Sequence, residues 1–261
     1  MCQYSATNGL ANEWHYVHYG TRAVGGSGLI ILEATAISPE GRITPYDLGI
    51  WNDEQVTELR KITDFIAENN SVAGIQLAHA GRKASHDKPA SGGKQLTVSD
   101  GGWQTVGPSA IAFDEKEVAP ASLDKAGIEN VKQDFKLAAK RALDAGFKVI
   151  EIHAAHGYLL HQFLSPISNH RNDEYGGIFE NRIRLLVEIV EKIKEVWPEN
   201  LPLFVRLSAT DWTEGGWTLD ETIELSRILK NKGVDLIDCS TGGNVPHARI
   251  PLSPGYQVSF S

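Results

Sequence analysis

The sequence predicts an α/β fold built around a parallel β-sheet. Short runs rich in valine, isoleucine and leucine alternate with helical patterns, which is the order of successive βαβ units. The runs are apolar throughout, as is typical of strands that are covered on both faces. Polar side chains cluster where these runs end, and parallel α/β folds carry their active sites at that edge.

Five apolar runs predict the strands of this sheet. They are Gly28–Ala34, Val72–Leu77, Lys148–His153, Leu203–Leu207 and Val234–Cys239. Apolar residues repeated at intervals of three and four predict helices over 128–145 and 179–197. Thr218 followed by Glu221 predicts a capping box at the start of a further helix, which Gly233 ends.

Composition and charge exclude several classes of protein. The 261 residues are 41% hydrophobic and 22% charged, as in a globular protein with a substantial core. The longest apolar runs fall far short of the roughly 18 to 20 residues that span a bilayer. No secretory signal follows Met1, so the cytoplasm is the expected compartment. The net charge of -8 disfavours nucleic acid and anionic membranes as partners.

The cysteines and the glycine motifs limit the kinds of site that the chain can form. Cys2 and Cys239 are the only cysteines, too few for a disulfide framework, so they are either reactive or small buried side chains. No phosphate-binding loop and no dinucleotide-binding glycine motif follows a strand. The long loops over 81–124 and 157–177 are predicted to be functional, because long ordered loops in compact domains usually are.

Polar residues lie in or just beyond the carboxyl ends of four predicted strands: Gln76, Glu151, His153, Arg206, Asp238 and Ser240. Alternate residues of a strand share one face, so Glu151 and His153 point the same way. The same spacing places Arg206 and Ser208 on one face. A closed barrel with this polar cluster inside explains the pattern better than an open sheet does.

The segment over 151–161 carries three histidines, a glutamate and a tyrosine. It admits three interpretations. A zinc site is one, although the His-Glu-x-x-His pattern is absent. Histidines hydrogen-bonded in the core are another. The preferred interpretation is a pair of N–H donors, His153 and His156, aimed at a substrate oxygen, with the Tyr158 phenol giving a proton.

Gln76 and Arg206 form a second candidate site. An amide and a guanidinium at the ends of two strands can bind the edge of a planar heterocycle that offers donors and acceptors. A flavin fits, because a nearby guanidinium stabilises its anionic reduced form. A buried ion pair between Arg206 and Glu151 is the alternative, and the residues alone leave it open.

Seven motifs, in order along the whole chain, resemble the Old Yellow Enzyme family, in its thermophilic-like branch of bacterial NADPH dehydrogenases. They are QLAHAGRK (76–83), EIHAAHGYL (151–159), FLSP (163–166), SNHR (168–171), DEYGG (173–177), ENR (180–182) and PGYQV (254–258). The resemblance implies an eight-stranded (β/α) barrel of the TIM type with non-covalent FMN. It also implies hydride transfer from NADPH to the β-carbon of an electron-poor alkene, such as an enone, enal or nitroalkene.

The resemblance further implies roles for ten residues. Those expected at the flavin are Cys2, Ala34, Gln76, Arg206 and Ser240, the last near its phosphate. Those expected at the substrate are Tyr4, Lys83, His153 and His156, with Tyr158 as the proton donor. No metal is implied. A homo-oligomer is expected for the complete enzyme.

The sequence also departs from the family pattern, because only about five of the eight barrel strands are legible. Residues 1–261 are therefore expected to form a partial FMN-binding barrel domain without the first strand and the last two strand–helix units. We expect this chain to bind FMN poorly or to fold badly. The alternatives are an inactive fragment, a relative of 2,4-dienoyl-CoA reductase or trimethylamine dehydrogenase, and a zinc hydrolase that uses Glu151, His153 and His156.

Overall fold

The computed structural model describes residues 2–261, and a five-stranded parallel sheet lies at its centre. In spatial order the sheet contains β1 (Leu29–Ala36), β2 (Val72–Ala78), β5 (Val149–Ala154), β6 (Leu203–Ser208) and β7 (Leu236–Ser240). The short strands β3 (Val106–Gly107) and β4 (Ala121–Ser122) pair separately in the loop after β2. Within residues 2–261, β1 and β7 each have one neighbouring strand, so the sheet is open at both edges.

Seven α-helices accompany the strands of residues 2–261. They are α1 (Glu13–Val24), α2 (Asp53–Glu68), α3 (Lys125–Asp144), α4 (Leu159–Leu164), α5 (Phe179–Arg182), α6 (Arg184–Lys194) and α7 (Leu219–Asn231). Helices α1, α2, α3 and α6 pack side by side along the sheet. Their apolar stripes form one core with the strands, in which Phe135, Ile150 and Ile189 are fully buried. None of these helices has the length and hydropathy of a membrane span.

Most of the predicted elements are confirmed. All five strands form, with ends within two residues of those predicted. The helix predicted over 128–145 is α3, and Gly146 follows it with a φ of +93°. The predicted capping box opens α7, where the Thr218 side chain accepts from the Glu221 backbone and Glu221 caps in return. Gly233 follows that helix with a φ of +81°.

Two expectations about these elements are wrong. The apolar stripe over 179–197 forms two helices, α5 and α6. The residue between them, Ile183, has a ψ of -16°, which is less negative than the roughly -42° of a regular α-helix. The apolar spacing continues across this residue, so the pattern could not show the break. Strand β7 is also not covered on both faces, and Leu236 is 43% exposed, since β7 lies at an open edge. Helices α1 and α2 were not predicted, although capping boxes at Asn12 and Asn52 mark them.

Candidate active site

Strand register brings the predicted polar residues to one face of the sheet. Gln76 pairs with Glu151 between β2 and β5, and His153 pairs with Arg206 between β5 and β6. Arg206 pairs in turn with Asp238 on β7. Residues in register on neighbouring strands point to the same side, as alternate residues of one strand do. The expected cluster at the carboxyl ends of the strands is therefore present.

Glu151 is held by Gln76 and not by Arg206. The Gln76 amide donates to Glu151 Oε1 at 2.6 Å, and Glu151 is buried. Burial raises the pKa of Glu151 to about 7; the neighbouring Asp238 charge also raises it, whereas the Gln76 hydrogen bond lowers it. The alternative of an Arg206–Glu151 ion pair is wrong, since Arg206 Nε lies 3.4 Å from Asp238 Oδ2.

Arg206 retains capacity to bind a ligand. Its Nε is buried and has no aligned hydrogen-bond partner among residues 2–261. The Asp238 carboxylate lies 3.4 Å away and supplies charge but no aligned hydrogen bond, and a buried donor without an aligned acceptor is costly unless a further group accepts from it. Ala34 is in register with Gln76 on the same face, and the Cys2 thiol lies beside the Ala34 backbone. Small side chains, including Ala78, line the gap next to Tyr158. This arrangement fits a planar ring system with acceptors at its edge.

The predicted substrate residues lie together at the end of β5. The His153 ring is perpendicular to both neighbouring rings, 5.2 Å from His156 and 4.9 Å from Tyr158 between centroids. Burial lowers the pKa of His153 well below its ordinary value, and it lowers that of His156 to about 3, with the Arg206 charge adding to both. Burial likewise raises the pKa of Tyr158 well above its ordinary value. Both imidazoles are therefore neutral, and the phenol keeps its proton.

Lys83 joins the loops around these rings. Its Nζ donates to the carbonyl oxygens of His156 and Gly243, each at 2.9 Å, and lies 5.2 Å from the centre of the Tyr158 ring. Burial lowers the pKa of Lys83 to about 8, with the Arg82 charge contributing. Tyr4, Lys83 and Tyr158 line one cavity of about 220 Å³. The predicted grouping of these residues is therefore present.

Ser240 lies on the substrate side of the site. Its hydroxyl contacts His156 Nε2 and accepts from Gln257 Nε2 at 3.0 Å. Its predicted position near the FMN phosphate stays a prediction.

Sequence reasoning missed Asp47, a buried carboxylate next to the site. It accepts from the backbone of Ile43 at 2.7 Å and from the Thr44 hydroxyl at 2.7 Å. Burial raises the pKa of Asp47 to about 6, against the effect of these hydrogen bonds. After burial, the Asp47 charge also contributes to the raised pKa of the Cys2 thiol. The Thr-Pro-Tyr-Asp turn at 44–47 was the available signal.

The zinc alternative finds no support in the geometry. Glu151 is engaged by Gln76, and the nearest rings to His153 are those of His156 and Tyr158. In the described part of the chain, residues 2–261, no three histidine, cysteine, aspartate or glutamate side chains are grouped as metal ligands.

Comparison with known protein families identifies the family of the chain. The model of the NADH:flavin oxidoreductase / NADH oxidase family of FMN oxidoreductases matches residues 1–258. The chain belongs to this family. FMN is accordingly its cofactor, as predicted, and the protein is an oxidoreductase.

Individual relatives agree with the family match. The chain is 52% identical over 263 residues to an NADPH dehydrogenase of Listeria monocytogenes serotype 4b, covering 100% of this chain and 72% of the relative. It is similar to morphinone reductase, with a TM-score of 0.81 and 28% identity over 100% of this chain and 71% of that one.

The chain is also similar to the Old Yellow Enzyme of Pichia sp. AKU4542. The TM-score is 0.76 and the identity 30%, over 88% of this chain and 61% of that one. The predicted resemblance to Old Yellow Enzymes and the predicted TIM-barrel fold class are therefore confirmed.

Proposed function

We propose that this site reduces the carbon–carbon double bond of electron-poor alkenes, namely enones, enals and nitroalkenes, at the expense of NADPH. Bound FMN supplies hydride transfer, and Tyr158 supplies the proton. The observation that carries the proposal is the contact of the His156 and Tyr158 rings with the His153 ring, at the edge that also carries Gln76 and Arg206.

The two histidines are suited to bind the oxygen of an activating carbonyl or nitro group. His153 Nδ1 accepts from the Ala155 amide at 3.3 Å, so the proton of the neutral ring lies on Nε2. Nε2–H can then donate to the substrate oxygen as negative charge develops there. In comparable sites one such donor contributes about 2.7 to 4 kcal/mol to transition-state stabilisation.

Tyr158 is suited to hold a proton until the substrate requires it. Its raised pKa keeps the hydroxyl protonated across the neutral range. The Lys83 ammonium over its ring favours one ring orientation through a cation–π contact. We assign Tyr4 and Lys83 to the substrate cavity that they line with Tyr158.

The FMN side is assigned to residues on one face of the sheet, among which Arg206 Nε has no aligned hydrogen-bond partner in residues 2–261. Arg206 and Gln76 would hold the pyrimidine edge of the flavin, and the Ala34 backbone with Cys2 would lie against its ring system. Ser240 is retained as a candidate for the phosphate side.

The test is a comparison of Tyr158→Phe with the wild-type chain, both supplied with FMN. Loss of a general acid lowers turnover by about 10²- to 10⁴-fold, so consumption of an enone should fall by that order while NADPH still bleaches the flavin band. Tyr16→Phe, on the exposed side of α1, is the matched control. Full enone turnover by Tyr158→Phe would exclude the tyrosine as the donor.

The same preparation separates activity from an inactive chain. A flavin absorption band that persists through gel filtration, and that bleaches with NADPH and returns with enone, supports the reductase. A chain that retains no flavin at any added FMN concentration supports the inactive alternative.

A further inference from the structure

The two residues before Tyr158 form a strained bend, which we call the His156–Gly157 bend. His156 has a φ of +58° and Gly157 one of +72°. A left-handed backbone at a residue other than glycine is strained and persists only where its surroundings hold it. A side chain at Gly157 would place its Cβ 2.2 Å from the Gly243 carbonyl oxygen. The bend aims both His156 and Tyr158, so its geometry sets theirs.

Side chains bind all four backbone polar groups of the bend. Ser208 Oγ accepts from the His156 amide at 2.9 Å, and Lys83 Nζ donates to the His156 carbonyl at 2.9 Å. His161 Nδ1 accepts from the Gly157 amide at 2.9 Å, and Gln162 Nε2 donates to the Gly157 carbonyl at 2.7 Å. The bend is thus held by four side chains that come from three other segments: Lys83 in the loop after β2, Ser208 at the end of β6, and His161 and Gln162 on α4.

The histidine in this set has one defined tautomer. His161 is fully buried on α4, and because its Nδ1 accepts from Gly157, its ring proton lies on Nε2. Nε2 lies 2.9 Å from Asp211 Oδ1, with both side chains fully buried. The carboxylate therefore favours the tautomer that leaves Nδ1 free to accept.

Asp211 connects this contact to the neighbouring loops. Its Oδ2 accepts from the Ser165 hydroxyl at 2.5 Å, from the Trp217 amide at 2.9 Å and from Asn244 Nδ2 at 3.3 Å. Burial alone would raise the pKa of Asp211, but His161 and these donors lower it to about 2, so the carboxylate is charged. The loops after β5, β6 and β7 meet at this one side chain.

We propose that His161 and Asp211 are a positioning pair for the reaction: through the Gly157 amide they hold the His156–Gly157 bend, and with it His156 and Tyr158, in the reactive orientation. The proposal rests on the proposed function for its catalytic consequence. Neither side chain contacts the substrate cavity lined by Tyr4, Lys83 and Tyr158.

The first test needs no turnover. Nitrogen-15 NMR of the full chain should show the His161 ring with its proton on Nε2, and hydrogen exchange should show a protected Gly157 amide. Asp211→Asn should accelerate exchange at Gly157. A ring protonated on Nδ1, or a Gly157 exchange rate that is unchanged in both His161→Leu and Asp211→Asn, would overturn the proposal whether or not the chain reduces alkenes.

The second test measures the catalytic consequence. A misplacement of about 1 Å costs about 100-fold in rate, so we expect His161→Leu to lower enone turnover by that order while NADPH still bleaches the flavin. His161→Asn, whose Oδ1 can accept from Gly157, should recover most of the loss. Ile193→Ala, a buried substitution on α6, is the control for general destabilisation.

Three outcomes of the second test bear on the pair. Normal turnover in His161→Leu would contradict it, as would an equal loss in His161→Leu and Ile193→Ala. If His161→Leu fails to fold, the turnover of His161→Asn is compared with that of Asp211→Asn. Higher turnover in His161→Asn supports the pair, and equal turnover contradicts it. A wild-type chain without alkene turnover refutes the proposed function, and the NMR result then stands by itself.

Discussion

The His156–Gly157 bend and the row of Gln76, Glu151, Arg206 and Asp238 lie at the same edge of the sheet but are built differently. Every backbone polar group of the bend has a side-chain partner. In the row, Arg206 Nε has no aligned partner among residues 2–261, and Glu151 lies beside a second carboxylate. The backbone groups on the substrate side are thus hydrogen-bonded within the chain, whereas a donor on the side assigned to FMN still lacks an aligned acceptor.

This difference predicts that the two regions control different quantities. Substitutions on the bend side should change the rate of alkene reduction by the bound cofactor. Substitutions in the row should change the affinity for FMN.

Among the substitutions that test this difference, His153→Ala should have the largest effect, a loss of turnover. Removing one preorganised donor costs about 10²- to 10³-fold in kcat. The affinity for FMN should stay close to that of the wild type, because His153 contacts the substrate-side rings. Steady-state enone reduction at saturating FMN, with a fluorescence titration of FMN, measures both. A loss of FMN affinity without a loss of turnover per bound flavin would contradict the assignment of turnover to the bend side and of FMN affinity to the row.

The next effect is that of Arg206→Met on the FMN dissociation constant. A hydrogen bond to a charged group contributes about 1.5 to 3 kcal/mol, which is about a 10- to 100-fold loss of affinity. Arg227→Met on the exposed face of α7 is the matched control, since Arg227 pairs only with Glu224 at the surface in the described chain. Equal FMN affinity in Arg206→Met and the wild type would remove Arg206 from the cofactor site.

The row could be predicted from the sequence, because strand spacing of period two places Glu151 with His153 and requires no knowledge of partners. The pairing within the row could not. Gln76 and Arg206 were both candidate partners for Glu151, and only the strand register and side-chain packing select the amide. Sequence patterns report which face a residue occupies, not which of several polar neighbours it binds.

The conformation of the His156–Gly157 bend could not be predicted from the sequence, for a different reason. The sequence predicted a long loop from residue 157, but the left-handed histidine at 156 is held by groups distant in the chain. Asp211 lies 50 residues beyond His161, in a loop without a motif. Long-range contacts of this kind leave no local periodicity to detect.

The smallest effect concerns stability and separates the two carboxylates by pH. Burial raises the pKa of Glu151 from 4.5 to about 7, so between these values the folded chain holds a proton that the unfolded chain has released. Stability from this group is therefore lost as pH rises from about 4.5 to 7. Asp211 has the opposite sign: its pKa is lowered from 3.8 to about 2, so its contribution is present above 3.8 and is lost as pH falls through 2.

Urea unfolding of the wild type, Glu151→Gln and Asp211→Asn between pH 4.5 and 8 measures this contrast. Because one proton is involved, the free energy of unfolding can change by at most about 1.4 kcal/mol per pH unit. The Gln76 hydrogen bond lowers the pKa of Glu151 against the effect of burial, so the expected change is modest. Glu151→Gln should flatten the decline of stability with rising pH, whereas Asp211→Asn should lower stability by a constant amount across this range. Parallel curves for Glu151→Gln and the wild type would mean that Glu151 is ionised in the folded chain, and the row would then be as fully compensated as the bend.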